Sequence, residues 1–214
     1  MNKNRLEALS DGVFAIIMTL LVIEIKIPEL HHDELTNANL IHKIYEAAPL
    51  FFSYFISFTV LSMYWVSHHA LYHMFVKNVD RVLIQLNMLY LSFAALIPFS
   101  AHLLGSYFTI QTSIIFYGLN ILAISLAAYS MLMYALKAKE IDRHEVSQRI
   151  LKQAKIRITL TPIFALIGII ISFINIPEWN IPIALIFFGF PVLFNIIPGG
   201  LNLLEKIFNF RLGE

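Results

Sequence analysis

The 214 residues are 58% hydrophobic and only 14% charged, with a formal charge of +1 and a mean hydropathy of +0.73. A soluble domain carries about 25% charged residues, so this chain has too few to coat a water-soluble globule, and its near-neutral balance gives no footing for nucleic acid. The absence of cysteine excludes disulfides, thiolate metal sites and thiol catalysis.

Crossing about 30 Å of hydrocarbon takes about 20 mostly apolar residues as helix, and six such runs lie between charged or turn-forming breaks. The first, Ala8 to Ile27, follows a polar start with no small-residue cleavage site, so it reads as a retained span. It closes at Pro28, Glu29, His31, His32, Asp33 and Glu34. The second, Ala47 to Met74, is long enough to tilt or project past the membrane and ends before Lys77-Asn78-Val79-Asp80-Arg81. The third is Val82 to Leu104, stopped by Gly105-Ser106, and the fourth is Ser113 to Leu136. Between Lys137 and Arg157, the spacing of Glu140, Arg143, Glu145, Arg149 and Lys152 predicts a solvated helix extending the fourth or fifth span. Ile158 to Ile176 and Ile181 to Leu204 complete the set, separated by Pro177-Glu178. Pro98, Pro162, Pro182, Pro191 and Pro198 fall inside or at the ends of spans, where a bundle tolerates a kink.

Basic residues fix the predicted orientation, because loops rich in Lys and Arg stay in the cytoplasm. All but Lys26 and Lys43 of the 15 basic residues fall on one side of a six-span arrangement. Both termini are therefore expected in the cytoplasm. With no repeat, low-complexity tract or long linker, residues 1–214 are expected to form one membrane domain.

Ionisable groups in or near a span are costly and so mark candidate function. Ser10 and Asp11 stand near the start of the first span, where they either cap the helix or pair with polar groups on another span. Candidate partners are the stretch Trp65 to His73 at the matching depth, and Asn87 near the start of the third span. A structural network, metal binding and interfacial snorkelling are the readings open for these residues. His69 and His73 share a helical face, as metal ligands do, but beyond the Trp65 to His73 stretch His144 is the one further histidine on that side. No Ser-His-Asp set, phosphate loop or paired intramembrane carboxylates can be assembled, so no enzymatic step is expected. Ile16, Thr19, Leu20, Ile23 and Ile27 form one stripe at steps of three and four. That stripe faces lipid, packs in a core or, with Asp11 at one end and Glu24 and Glu29 at the other, forms an apolar ring that gates by dewetting. His31, His32 and His42 in the outer loop are candidates for pH sensing.

Arg5-Leu6-Glu7-Ala8-Leu9-Ser10-Asp11 resembles the first-helix signature of potassium channels related to transmembrane protein 175, in which Arg and three residues precede Phe-Ser-Asp; Leu9 stands for the Phe. Trp65-Val66-Ser67-His68 is similar to the family's Trp-x-x-His, and Asn87 followed by Pro98 resembles its third helix. The resemblance implies an all-α homotetramer, one six-helix unit per chain, with four first helices around a central pore in a prokaryotic plasma membrane. Ile16, Leu20 and Ile23 match the apolar constriction and Thr19 a threonine layer bearing on potassium preference. Arg5, Ser10, Asp11, Trp65 and His68 are implied as the polar network anchoring the pore helix, with Asn87 as a further member.

The sequence lacks a Thr-Val-Gly-Tyr-Gly filter, so no ring of backbone carbonyls replaces the ion's water. Potassium is expected to be the permeating ion, with modest preference over sodium and no cofactor. The rival expectations are a secondary transporter, disfavoured by the absence of repeats, and a non-conducting membrane scaffold.

Overall fold

A computed structural model describes residues 2–27, 29, 30, 32, 35–142, 144–174 and 180–196. These form eight helices, several of which start where a polar side chain accepts an orphan N–H. The first, α1 (Lys3–Ile23), is capped by Asn2, whose Oδ1 accepts from the Arg5 N–H at 3.0 Å. The helix thus begins five residues ahead of the predicted Ala8, and Ser10 and Asp11 lie inside it rather than capping it. After α1 comes α2 (Asn37–Glu46), capped by Thr36 and without a buried residue, which the absence of any apolar run hid in the sequence. Its last turn holds an ion pair between Lys43 and Glu46 at 2.8 Å, and that hydrogen bond keeps the Glu46 carboxyl below its usual pKa.

The 28 residues of α3 (Ala48–Phe75) rise about 42 Å, more than a bilayer core. The third predicted span is two helices, α4 (Arg81–Ala94) and α5 (Ile97–Ser106). Pro98 has no N–H and its ring crowds the Ala94 carbonyl, so the ladder breaks just ahead of it. The fourth span lies within α6 (Gln111–Lys137), the predicted fifth begins inside α7 (Gln148–Ser172), which ends four residues before Ile176, and α8 (Asn180–Ile196) covers the described part of the sixth. The rest of the predicted sixth span, with Lys206 and Arg211, lies outside the described residues, as do Pro28, His31, Pro177 and Pro198.

Among the described residues, five segments are long and apolar enough to cross a membrane: α1, α3, α4 with α5, α6 and α7. The described part of α8 is apolar over Ile183–Val192 but shorter. The solvated helix predicted across 137–157 is a correction. Only its second half is helical, as the start of α7 under a Ser147 cap. Arg143 lies outside the described residues, and 138–142 and 144–147 form no helix because the turn after α3 captures the segment: Asn78 Nδ2 donates to Glu140 O at 3.0 Å, the Asp142 N–H donates to Asn78 Oδ1 at 2.7 Å, and the Lys77 N–H donates to Asp142 O at 2.8 Å. Ile141 is buried beneath that loop.

The core runs between α3, α4 and α6, with α1 laid against α3, α4 and α5, and with α7 and α8 against α6. Hydroxyls tie the buried faces together, as expected where no water can satisfy them. Tyr64 OH lies 2.7 Å from Ser125 Oγ, Ser57 Oγ lies 3.1 Å from Tyr117 OH, and Tyr90 OH donates to Tyr64 O at 2.9 Å. Close approach of α6, α7 and α8 requires Gly118 and Gly168, which leave room for the Phe188 ring. A Cβ on Gly168 would lie 2.5 Å from that ring and 3.0 Å from Ala184 O. Gly168→Ala is expected to cost about 1–3 kcal/mol through overpacking, read as earlier thermal unfolding in detergent. Melting at the native temperature would reject the tight contact.

Candidate functional site

The 3.6-residue turn of α1 divides it into two faces. Leu6, Ser10, Phe14, Ile17 and Leu21 are buried against the bundle. On the opposite side Ile16, Leu20 and Ile23 are 60%, 43% and 62% exposed, and Thr19 is exposed beside them. Both faces are apolar, so only the packing distinguishes them. Thr19 Oγ1 donates back to its own helix, to Ile16 O at 2.8 Å and Ala15 O at 3.1 Å, which fixes its rotamer and leaves the oxygen lone pairs outward.

The buried face is held by a polar cluster centred on Asn87 of α4. Asn87 Oδ1 accepts from His68 Nε2 at 2.6 Å, so the imidazole carries its proton on Nε2. Tyr72 OH donates to the same oxygen at 3.4 Å. Asn87 Nδ2 donates to Ser10 Oγ at 3.1 Å, and Ser10 Oγ donates to Leu6 O at 2.9 Å, linking α1, α3 and α4. Aromatic rings enclose this cluster: His68 stacks on Tyr90 at 5.4 Å and sits 4.8 Å from Tyr72, while Phe14 lies 6.2 Å from His68.

Asp11 and Trp65 form a second, separate contact at the edge of the exposed face. Trp65 Nε1 donates to Asp11 Oδ1 at 2.9 Å. Trp65 then stacks on His69 at 6.2 Å and His69 on His73 at 5.8 Å along the outer side of α3. Among the described residues no group of three or more His, Asp or Glu side chains could hold a metal ion. Arg5 stands apart from both contacts, exposed, with its backbone N–H serving the helix cap.

Of two further contributors, the sequence points to Tyr72 only as part of the Trp65 to His73 stretch and to His102 not at all. Tyr72 stands one turn beyond His68, so the i, i+4 rule applied to the Trp65 to His73 stretch points to it. His102 of α5 had no local signal: its Nδ1 lies 3.2 Å from Glu24 Oε2 and 3.3 Å from Glu24 O, so α5 clasps the residue that ends α1.

The model of the family described as endosomal/lysosomal potassium channel TMEM175 matches residues 5–98, the stretch that carries α1, α3 and both polar contacts. A potassium channel of Chryseobacterium sp. strain P1-3 is 31% identical over 173 residues, covering 81% of this chain and 84% of its own length. The human endosomal/lysosomal proton channel TMEM175 is 34% identical over 102 residues, 46% of this chain and 20% of the human one. In fold, the chain is similar to the crystal structure of a lysosomal potassium-selective channel TMEM175 homologue from Chamaesiphon minutus, with a TM-score of 0.77 and 24% identity over 91% of this chain and 98% of that one. An all-helical, multi-pass membrane protein with these relatives belongs to the TMEM175 family of ion channels, which carry out no enzymatic reaction.

Proposed function

We propose that this chain is a potassium-selective cation channel, a homotetramer in which four copies of α1 line a central pore constricted at Ile16, Leu20 and Ile23. The observation that carries this reading is the outward apolar face of α1, centred on those residues while the opposite face is buried. Lipid could cover an apolar face, but Asp11 stands at its edge, and a carboxylate in a span favours a water-filled cavity or protein interior. Ala8, Gly12 and Ala15 are exposed on the same side, and small residues let helices of neighbouring subunits approach closely. Thr19 presents its lone pairs to the permeating ion and bears on potassium preference. The Ser10, His68 and Asn87 cluster and the Asp11–Trp65 bond hold α1 at the depth that aligns the four constrictions.

In this reading residues 1–214 form one six-span domain in the cell membrane with both termini cytoplasmic, as the basic residues favour. Potassium is the permeating ion and no cofactor takes part. The test is the mass of the purified protein in detergent followed by potassium flux from vesicles. A tetramer with voltage-following potassium flux is expected. A monomer or dimer overturns the pore, and saturating flux that ignores voltage favours a carrier. Because the human relative is named a proton channel, the same vesicles are assayed with a proton gradient; proton flux without potassium flux would replace the permeating ion while keeping the pore.

A further inference from the structure

A cavity of about 180 Å³ lies between α3, α6 and α7, and no residue of α1 lines it. That is more room than the roughly 150 Å³ apolar cavity that takes up a benzene. Most of its wall is hydrocarbon, as at Met63, Leu132 and Ile158, with Ser67, Gln153 and the half-buried guanidinium of Arg157 as its polar side. The cation is on the end of the bundle that also bears Lys77, Arg81, Lys137, Arg149, Lys152 and Lys155.

A wall of this kind fits a molecule that is hydrocarbon over most of its length and anionic at one end. The planar fork of an arginine matches phosphate oxygens two at a time, and basic pockets between spans at a cationic membrane face favour anionic headgroups. We propose that this cavity binds an anionic membrane phospholipid, its phosphodiester on Arg157 and part of one acyl chain against Met63, Leu132 and Ile158. The lipid steadies the same part of α3 that holds α1: Tyr64 lines the cavity, and its carbonyl accepts from Tyr90, the ring stacked on His68.

The test uses the full chain in detergent, titrated with phosphatidylglycerol or phosphatidylcholine and followed by native mass spectrometry and thermal unfolding. Phosphatidylglycerol is expected to stay bound and raise the unfolding temperature, since a ligand of the folded state stabilises it, and phosphatidylcholine to bind roughly tenfold more weakly. Arg157→Gln is expected to erase that preference. Ala154→Phe, which fills the cavity and keeps Arg157, is expected to lose the lipid at unchanged oligomer mass. Equal binding of the two lipids by the native protein overturns the proposal even if both variants fail to fold. So does undiminished phosphatidylglycerol binding by Arg157→Gln, equal stabilisation by millimolar inorganic phosphate, or disulfide crosslinking between copies through Ser67→Cys, which would put a second subunit in the cavity. None of these measurements reads ion flow, so the outcome is independent of the channel reading.

Discussion

Ile16→Asn and Ile23→Asn are each expected to raise potassium flux from reconstituted vesicles by roughly tenfold. An aliphatic ring excludes water, and an ion reaching it must shed hydration with nothing in exchange. An amide supplies a donor and an acceptor at that point, and lowering the barrier by about 1.4 kcal/mol is tenfold in rate. The fold gives these variants little reason to fail, because Ile16 and Ile23 are 60% and 62% exposed within the subunit. Ile17 makes the control. It is one residue away, equally apolar and 3% exposed, so Ile17→Asn buries an amide without a partner at about 1–3 kcal/mol and is expected to lower thermal stability without raising flux. If flux stays at the native level in both Ile16→Asn and Ile23→Asn, the exposed face does not line a pore.

The contrast between Ile16 and Ile17 marks how far the sequence could be read. Long apolar runs identify the spans because hydrocarbon demands them, and Pro98 announces the break between α4 and α5. The stripe of Ile16, Leu20 and Ile23 is visible at steps of three and four. That it faces outward is not, since Phe14, Ile17 and Leu21 make an equally apolar stripe and only packing on α3, α4 and α5 chooses between them. Helix starts differ from the expected ones where a single cap sets them, as Asn2 does for α1 and Ser147 for α7. The connection through 138–142 and 144–147 is not helical although charge spacing predicts a helix there, because that spacing is local information. Its conformation is dictated by Lys77 and Asn78, more than sixty residues earlier. The same holds for the grip of His102 on Glu24, while Ser10, His68 and Asn87 were legible as polar residues at matching depth without revealing that Asn87 is the hub.

Asn87→Leu is expected to lower stability in detergent by about 2 kcal/mol. Leucine keeps the branched heavy-atom skeleton of asparagine with methyls in place of the amide oxygen and nitrogen, so the main loss is one of hydrogen bonding: His68 Nε2 and Tyr72 OH lose their shared acceptor and Ser10 Oγ loses a donor, all of them buried or nearly so. A single bond between spans is worth about 0.6 kcal/mol on average and up to about 1.7, and three partners depend on this one side chain. At about 2–4 °C per kcal/mol for a chain of this size, the unfolding temperature should fall by roughly 4–8 °C. Asp11→Asn provides the comparison. Its bond to Trp65 lies at the exposed edge, so the stability cost should stay under about 1 kcal/mol while potassium flux changes, if that edge faces the pore. Ser10→Ala combined with Asn87→Leu should cost less than the sum of the two single changes, because residues in one network are not additive. Native stability in Asn87→Leu, or strict additivity with Ser10→Ala, would mean that α1 is held by the burial of Leu6, Phe14, Ile17 and Leu21 alone. The aliphatic and aromatic packing, rather than the amide, would then set the depth of the helix.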